Sequence, residues 1–342
     1  MEKIMIPPLD SNAAEVIKNN WAKMDKPLHS LGKLEEMVEK YAAMTGTALP
    51  DKIKSAMLLM CGDHGIAKYG VSAYPQEVTM QMINGYMRET AGANVMAHHA
   101  GADVFVIDAG TAFDLSAMPK VHQEKVAWGT EDFTQGPAMT VEQAEKALKV
   151  GMKVADECID KGYNLLVTAE MGIGNTTSTA AIVSAFLGLP PELTVGRGTG
   201  INDERMAIKR KVVADGLAKN QPRLGDAMDI LCKVGGYDHA GLAGMILAGA
   251  RRRIPTMVDG VNATAAALLA YGLEPACADY MLCSHLSAEI SHAKMLEVLR
   301  LTPIVDAGMR LGEGTGASLA IVILQMAINT YKELYKRGGM HA

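Results

Sequence analysis

Ala56-Met57-Leu58-Leu59-Met60-Cys61-Gly62-Asp63 is the stretch that decides the fold, an unbroken apolar run of strand length closed by a glycine and a carboxylate. A short run that is apolar at every position reads as a strand buried on both faces, the kind that parallel sheets use between two layers of helices. The same grammar recurs along the chain. Apolar runs at 104–107, 165–167, 256–258 and 280–283 lead into Asp108, Glu170, Asp259 and Ser284. Helical spacing fills the intervals, most clearly over 141–161 and 204–218, so strands and helices alternate as a parallel α/β sheet requires. In such sheets ligands gather at the carboxyl ends of the strands, where these polar residues fall.

The ends of the chain read differently. Helical patterning covers 13–24 and 31–44, with a break at Lys26-Pro27, and returns over 317–337. Neither end carries a strand signal, so the two termini are expected to pair as a small helical subdomain.

A chain of 342 residues that is 49% hydrophobic can bury a large core. Its net charge of -5, with both signs mixed, leaves no basic footprint for nucleic acid or anionic membrane. A small-molecule substrate fits better. The five cysteines are scattered, without CxxC spacing or histidine partners at metal-ligand intervals, and read as reduced core thiols. Neither a signal peptide nor a membrane-length apolar run stands in the sequence, so the expected location is the cytoplasm. Methionine is abundant and aromatics scarce, which suits an irregular core, with a few thioethers free to line a pocket for a flat ring.

Four glycine-rich segments carry the chemistry: 61–65, 170–177, 195–200 and 311–316. None has the context of a dinucleotide fingerprint or a P-loop. The second and fourth precede alanine-rich helices, where backbone N–H groups and the helix dipole favour an anion such as phosphate. Any one segment alone serves equally well as a tight turn; four together favour a site. Glu313 lies between two glycines at a helix mouth, which suits either a partly shielded base or simple complement to the helix dipole. Glu170, ending a strand and opening a turn, has the same two readings. Asp63-His64 suits a catalytic pair, although local backbone satisfaction is the commoner use of such residues.

Taken in order, Asp63-His64-Gly65, the stretch 71–79, 170–177, Lys233-Val234-Gly235-Gly236, Val258-Asp259-Gly260, 284–289 and 309–317 resemble the nicotinate-nucleotide:dimethylbenzimidazole phosphoribosyltransferase family. The similarity runs from about Lys26 to the C-terminus. It implies a Rossmann-like parallel sheet flanked by helices, with a small helical domain built from the N- and C-terminal segments. The expected division is 30–280 for the large domain, which also receives 303–320, and 1–29 with 285–302 and 321–342 for the small one. A homodimer, or a heterodimer with a similar subunit, is implied, with neither metal nor cofactor.

The resemblance further implies a reaction. A ring nitrogen of a small aromatic base attacks C1' of nicotinate mononucleotide, nicotinate leaves, and the β-linkage inverts to α. Glu313 matches the family's general base, taking the ring N–H proton, and Glu170 lies across the pocket beside the ribosyl centre. The base is expected against Tyr74, Pro75, Met82, Met171 and Leu311. The phosphoribosyl and nicotinate groups are expected at Gly174, Asn175, Thr176, Thr177, Gly198 and Lys209. Two departures stand out: His29 replaces a turn glycine, and Met82 and Tyr74 replace a polar and a small residue. The altered slot keeps phenol or p-cresol open as acceptors, with this chain as the active subunit of a heterodimer. A nucleotide hydrolase, in which water attacks C1', and a silent nucleotide-binding paralogue are the competing readings.

Overall fold

A computed structural model describes residues 4–46, 49 and 52–338. Residues 1–3 and 339–342 of the expected helical domain lie outside the described residues. The first two helices are α1 (Ser11–Lys23) and α2 (Lys33–Thr45), followed by β1 (Ser55–Gly62). Next come α3 (Val78–Met87), α4 (Gly92–Ala100), β2 (Ala102–Gly110), β3 (His122–Gln123) and α5 (Val141–Asp160). The second half runs through β4 (Leu165–Met171), α6 (Asn175–Leu187), α7 (Asp203–Asn220), α8 (Ala227–Val234) and α9 (Tyr237–Arg251). It closes with β5 (Thr256–Val258), α10 (Val261–Leu273), β6 (Met281–Cys283), α11 (His292–Leu299) and α12 (Thr315–Gly338).

All pairings in the six-stranded sheet are parallel, in the order β3-β2-β1-β4-β5-β6. This is the Rossmann-like α/β architecture expected. Every residue of β1 and β4 is buried, which is why their sequences are mostly apolar rather than alternating, with Ser55, Thr168 and Glu170 as the polar exceptions. The order reverses direction between β1 and β4, so a crevice opens at their carboxyl ends. There the backbones nearly touch: a side chain on Gly172 would place its Cβ 1.8 Å from the Gly62 carbonyl oxygen. Only glycine allows the turn after β4 to pass over the end of β1.

The helices begin where the sequence supplies caps. Asp10 accepts from the Ala13 N–H at the start of α1, Thr140 and Gln143 form a reciprocal capping box on α5, and Asn202 caps α7. The termini do meet. α12 packs on α2 and α4, and α1 packs on α2 and α12. Trp21 stands edge-on to Tyr331 with ring centroids 4.9 Å apart, and Asn20 donates to the Tyr331 hydroxyl at 2.7 Å.

His29 shows why a glycine suits its position: its φ is 56°, in the left-handed region. The exposed side chain contributes only a solvent-screened attraction to Glu35 and Glu39. The His29→Gly variant is therefore expected to be more stable by about 0.5 kcal/mol, the relief of strain exceeding the added freedom of the unfolded chain. Paired urea titrations check it, with an unchanged slope and a higher midpoint.

Candidate active site

Above the β1/β4 crevice lies a cavity of about 730 Å³. Its walls come from three glycine-rich turns, the start of α3 and the loop before α12. Tyr74, Met82, Met171 and Leu311 line one part, with Glu170 and Glu313, while Gly174, Asn175, Thr176 and Gly198 line another. Pro75, Thr177 and Lys209 do not reach the wall. Pro75 is exposed and opens the turn into α3, where its carbonyl accepts from the Val78 N–H at 3.1 Å. Thr177 is wholly buried. Lys209 is also wholly buried, one layer down, and its Nζ donates to Thr176 Oγ1 at 2.6 Å.

Glu313 owes its place to the loop around it. Gly312, Glu313 and Gly314 have φ of 81°, 58° and 76°, so the glutamate is held in a left-handed conformation that a non-glycine residue seldom adopts. Asp259, at the end of β5, fixes this loop to the sheet. It accepts from the Gly314 N–H at 3.0 Å and from the Ala317 N–H at 2.9 Å, anchoring the start of α12. Burial raises the Glu313 carboxyl above its ordinary range, and the charge of Asp259 adds to this. The Tyr86 hydroxyl works in the opposite direction. Its approach stops short of a full hydrogen bond, since neither it nor Glu313 Oε2 is satisfied by a partner among the described residues.

Glu170 ends β4 beneath the same loop. A Cβ on Gly312 would lie 2.5 Å from Glu170 Oε1, so the loop carrying one carboxylate rests directly on the other. The side-chain amide of Asn175 donates to Glu170 Oε2 through a short contact, and Asn262 beside the carboxylate favours its ionised form. Burial, then the charge of Asp238, keeps Glu170 well above the usual carboxylate range. The two glutamates thus differ in setting: one is tethered at the rim, the other sunk beneath it.

The end of the cavity where the phosphate is expected is formed by α6 and the loop 195–200. The N–H groups of Asn175 and Thr177 are taken by the carbonyls of Gly172 and Gly174, which leaves Thr176 as the residue of this turn best placed toward an anion. Beneath it, burial lowers the Lys209 ammonium to about 8, and Glu289 partly opposes the shift. Glu289 Oε1 accepts from the Gly198 N–H at 2.9 Å and Arg310 donates to the Gly198 carbonyl at 3.0 Å, so a carboxylate and a guanidinium together shape this loop.

Asp63 and His64 are scaffold. The Asp63 carboxylate accepts from Thr79 Oγ1 at 2.7 Å and from the Ala112 N–H at 2.9 Å, pinning the end of β1 to α3. His64 Nε2 lies 3.2 Å from Asp238 Oδ1, and His239 Nδ1 lies 3.0 Å from the same oxygen. These three buried side chains converge closely enough to hold a metal ion. His64 Nε2 is within hydrogen-bond distance of Asp238 Oδ2 at 3.3 Å, whereas His239 Nδ1 makes no hydrogen bond among the described residues.

A model of a family described as phosphoribosyltransferase matches residues 6–338. The chain belongs to this phosphoribosyltransferase family. Among curated relatives of the phosphoribosyltransferase is the nicotinate-nucleotide--dimethylbenzimidazole phosphoribosyltransferase of Chloroflexus aggregans (strain MD-66 / DSM 9485). It is 46% identical over 329 residues, covering 96% of this chain and 93% of the relative. The protein of the same name from Geobacter sulfurreducens (strain ATCC 51573 / DSM 12127 / PCA) is 46% identical over 324 residues, with 94% and 92% covered. The crystal structure of CobT from Thermus thermophilus superposes with a TM-score of 0.90 at 40% identity, covering 94% of this chain and 96% of that one.

Of the residues that shape this phosphoribosyltransferase site, sequence reading assigned no role to Asp259, Asn262, Glu289 or Arg310. Asp259, Glu289 and Arg310 did stand within quoted motifs, yet their task is to hold loops, which spacing along the chain does not disclose.

Proposed function

We propose that this phosphoribosyltransferase moves the 5-phosphoribosyl group of nicotinate mononucleotide to a ring nitrogen of 5,6-dimethylbenzimidazole or a related benzimidazole. The C1'–nitrogen bond to nicotinate breaks, a C1'–nitrogen bond to the base forms on the opposite face, and the α-riboside 5'-phosphate results. Its place is in assembly of the nucleotide loop of a cobalamin-type cofactor. The observation that carries this reading is Glu313, a carboxylate of raised proton affinity held on a rigid turn at a mostly apolar slot.

As the base attacks, its other ring nitrogen becomes acidic, and Glu313 takes that proton. Glu170 lies beside the ribosyl centre, where the cationic pyridinium of the substrate supplies the charge that its buried carboxyl lacks in the free protein. Thr176, Gly198 and the Lys209 ammonium beneath them face the phosphate, and Arg310 adds a cation at the rim. Tyr74, Met82, Met171 and Leu311 offer the base a flat apolar berth.

Nicotinate release, followed with and without dimethylbenzimidazole, tests the reading. Release that requires the base supports transfer, and release at the same rate without it assigns a hydrolase. The Tyr86→Phe variant is expected to shift the acid limb of kcat/KM upward by roughly half a pH unit to one unit, because the hydroxyl that favours the ionised Glu313 is gone. A pH–rate profile against the parent protein checks it.

The division into a large sheet domain and a small domain of the two termini is supported by the packing of α1 on α12, while α2, which the boundaries given above assign to the large domain, packs on both. A dimer, with a second copy or a similar subunit, is supported by apolar side chains exposed on α12 and α4, among them Val322, Met326 and Val95. No helix among the described residues is long and apolar enough to cross a membrane. With all five cysteines free and buried, this supports a cytoplasmic location.

A further inference from the structure

The setting of Glu170 extends beyond Asn175. Asn262 lies beside Glu170 and favours its ionised form, while its oxygen Oδ1 accepts from Thr179 Oγ1 at 2.8 Å. An asparagine oxygen cannot donate, so the single hydroxyl proton of Thr179 is committed to Asn262. His239 Nε2 lies 2.8 Å from the same hydroxyl oxygen. With that oxygen left only lone pairs to offer, Nε2 must carry the proton and donate. On the far side of the ring, Nδ1 faces Asp238 Oδ1 at 3.0 Å, and His64 Nε2 approaches that oxygen at 3.2 Å. The His239 backbone N–H also donates to Asp238 Oδ1, at 2.8 Å. Asp238, His239, Thr179 and Asn262 are each at least nine-tenths buried.

The donors in this chain all point one way, from His239 through Thr179 and Asn262 to Glu170. We propose that His239, its backbone N–H held by Asp238, is a positioning residue for Glu170, acting through Thr179 to fix which end of the Asn262 amide meets the carboxylate. The two ends of an asparagine amide have nearly the same shape, so packing alone does not choose between them. Without the Thr179 proton, rotation of the amide would set an oxygen against Glu170 and leave the carboxylate repelled instead of bound. Burial works against ionisation of Asp238, yet His239 and His64 beside it hold its carboxyl well below the usual range. The inference rests on the reading of Glu170 given above.

Steady-state kinetics with nicotinate mononucleotide and dimethylbenzimidazole test it on the full chain. Thr179→Val keeps the shape and removes the hydroxyl; kcat is expected to fall about tenfold with KM changed less than about twofold, as for a misplaced group that acts at the transition state. Thr179→Ser restores the hydroxyl and is expected to return kcat to within about twofold of the parent. Should Thr179→Val fail to fold, the histidine gives an independent pair. His239→Gln places an amide nitrogen near Nε2 and retains activity, whereas His239→Asn reaches only to Nδ1 and loses it. Parent-like kcat in folded Thr179→Val, or equal loss in the two members of either pair, overturns the proposal. So does stoichiometric metal in the purified protein that vanishes in Asp238→Asn. Glu170→Gln separates the two levels. If it keeps full activity, the role of Glu170 itself is wrong; if it is impaired while Thr179→Val is not, only the positioning chain is wrong.

Discussion

The Glu313→Gln variant is expected to lose roughly 10²- to 10⁴-fold in kcat while folding normally and binding nicotinate mononucleotide almost as before. Glutamine keeps the shape of the side chain on its left-handed turn and still hydrogen-bonds, but it cannot take a proton. The loss therefore falls on the chemical step, because the base is already bound when its N–H must leave. In the parent protein the same group sets the acid limb of activity. Burial raises the Glu313 carboxyl, so turnover is lost as pH falls through a value above the ordinary carboxylate range. The effect on stability has the opposite direction. The native state holds this proton more tightly than the unfolded chain does, so ionisation costs the fold stability as pH rises from the unfolded value through the raised native one. At neutral pH the Gln variant should melt no lower than its parent. A stopped-time assay of kcat beside a thermal melt checks both halves; a Gln variant with unchanged turnover removes Glu313 as the base.

The Lys209→Met variant carries the second large effect, and here stability and function part company. Lys209 is a buried ammonium with a hydroxyl, Thr176 Oγ1, as its hydrogen-bonded partner and Glu289 as a more distant counter-charge. Methionine has similar length without the desolvation cost, so the fold is expected to gain about 1–2 kcal/mol. The same change removes the cation beneath the floor of the anion end, and affinity for nicotinate mononucleotide should fall roughly tenfold to a hundredfold. In the parent protein, affinity should also weaken as pH climbs through about 8, where Lys209 loses its proton, and this dependence should be absent from the Met variant. Calorimetric titration across that range reads both effects. A variant that binds as tightly as the parent at pH 7, or is markedly less stable, contradicts the role given to this lysine.

The layout of the sheet was legible because buried parallel strands announce themselves. The runs ending at Cys61, Ile107, Val167, Val258 and Cys283 all lie in strands, since a position flanked by helices on both faces must be apolar. His122–Gln123 was not legible: a two-residue edge strand has too little pattern, and its pairing to β2 comes from geometry alone. The glycine-rich turns gave the outline of the site, because turns that need positive φ or close backbone approach leave a mark in the sequence. Gly312 and Gly174 are such residues. What the sequence withheld is the layer behind those turns. Thr179, Asn262 and His239 sit on three different helices, each reading as an ordinary polar residue in a buried segment, and only the packing of α6, α9 and α10 makes them neighbours. Lys209 was assigned to the phosphate by family resemblance; its burial one layer below the wall depends on how α7 packs on α6.

The central claim is that the chain joins the ribosyl carbon of nicotinate mononucleotide to the nitrogen of an aromatic base with inversion. The most direct measurement is to incubate the purified protein with nicotinate mononucleotide and a mixture of dimethylbenzimidazole, adenine, phenol and p-cresol, and to identify the products by mass and by proton NMR at C1'. The account predicts a dimethylbenzimidazole riboside 5'-phosphate as the dominant product, in the α configuration, with one nicotinate released for each. A phenolic riboside as the dominant product would contradict the choice of acceptor, and free ribose 5-phosphate with no adduct, or a β-linked product, would contradict the reaction itself.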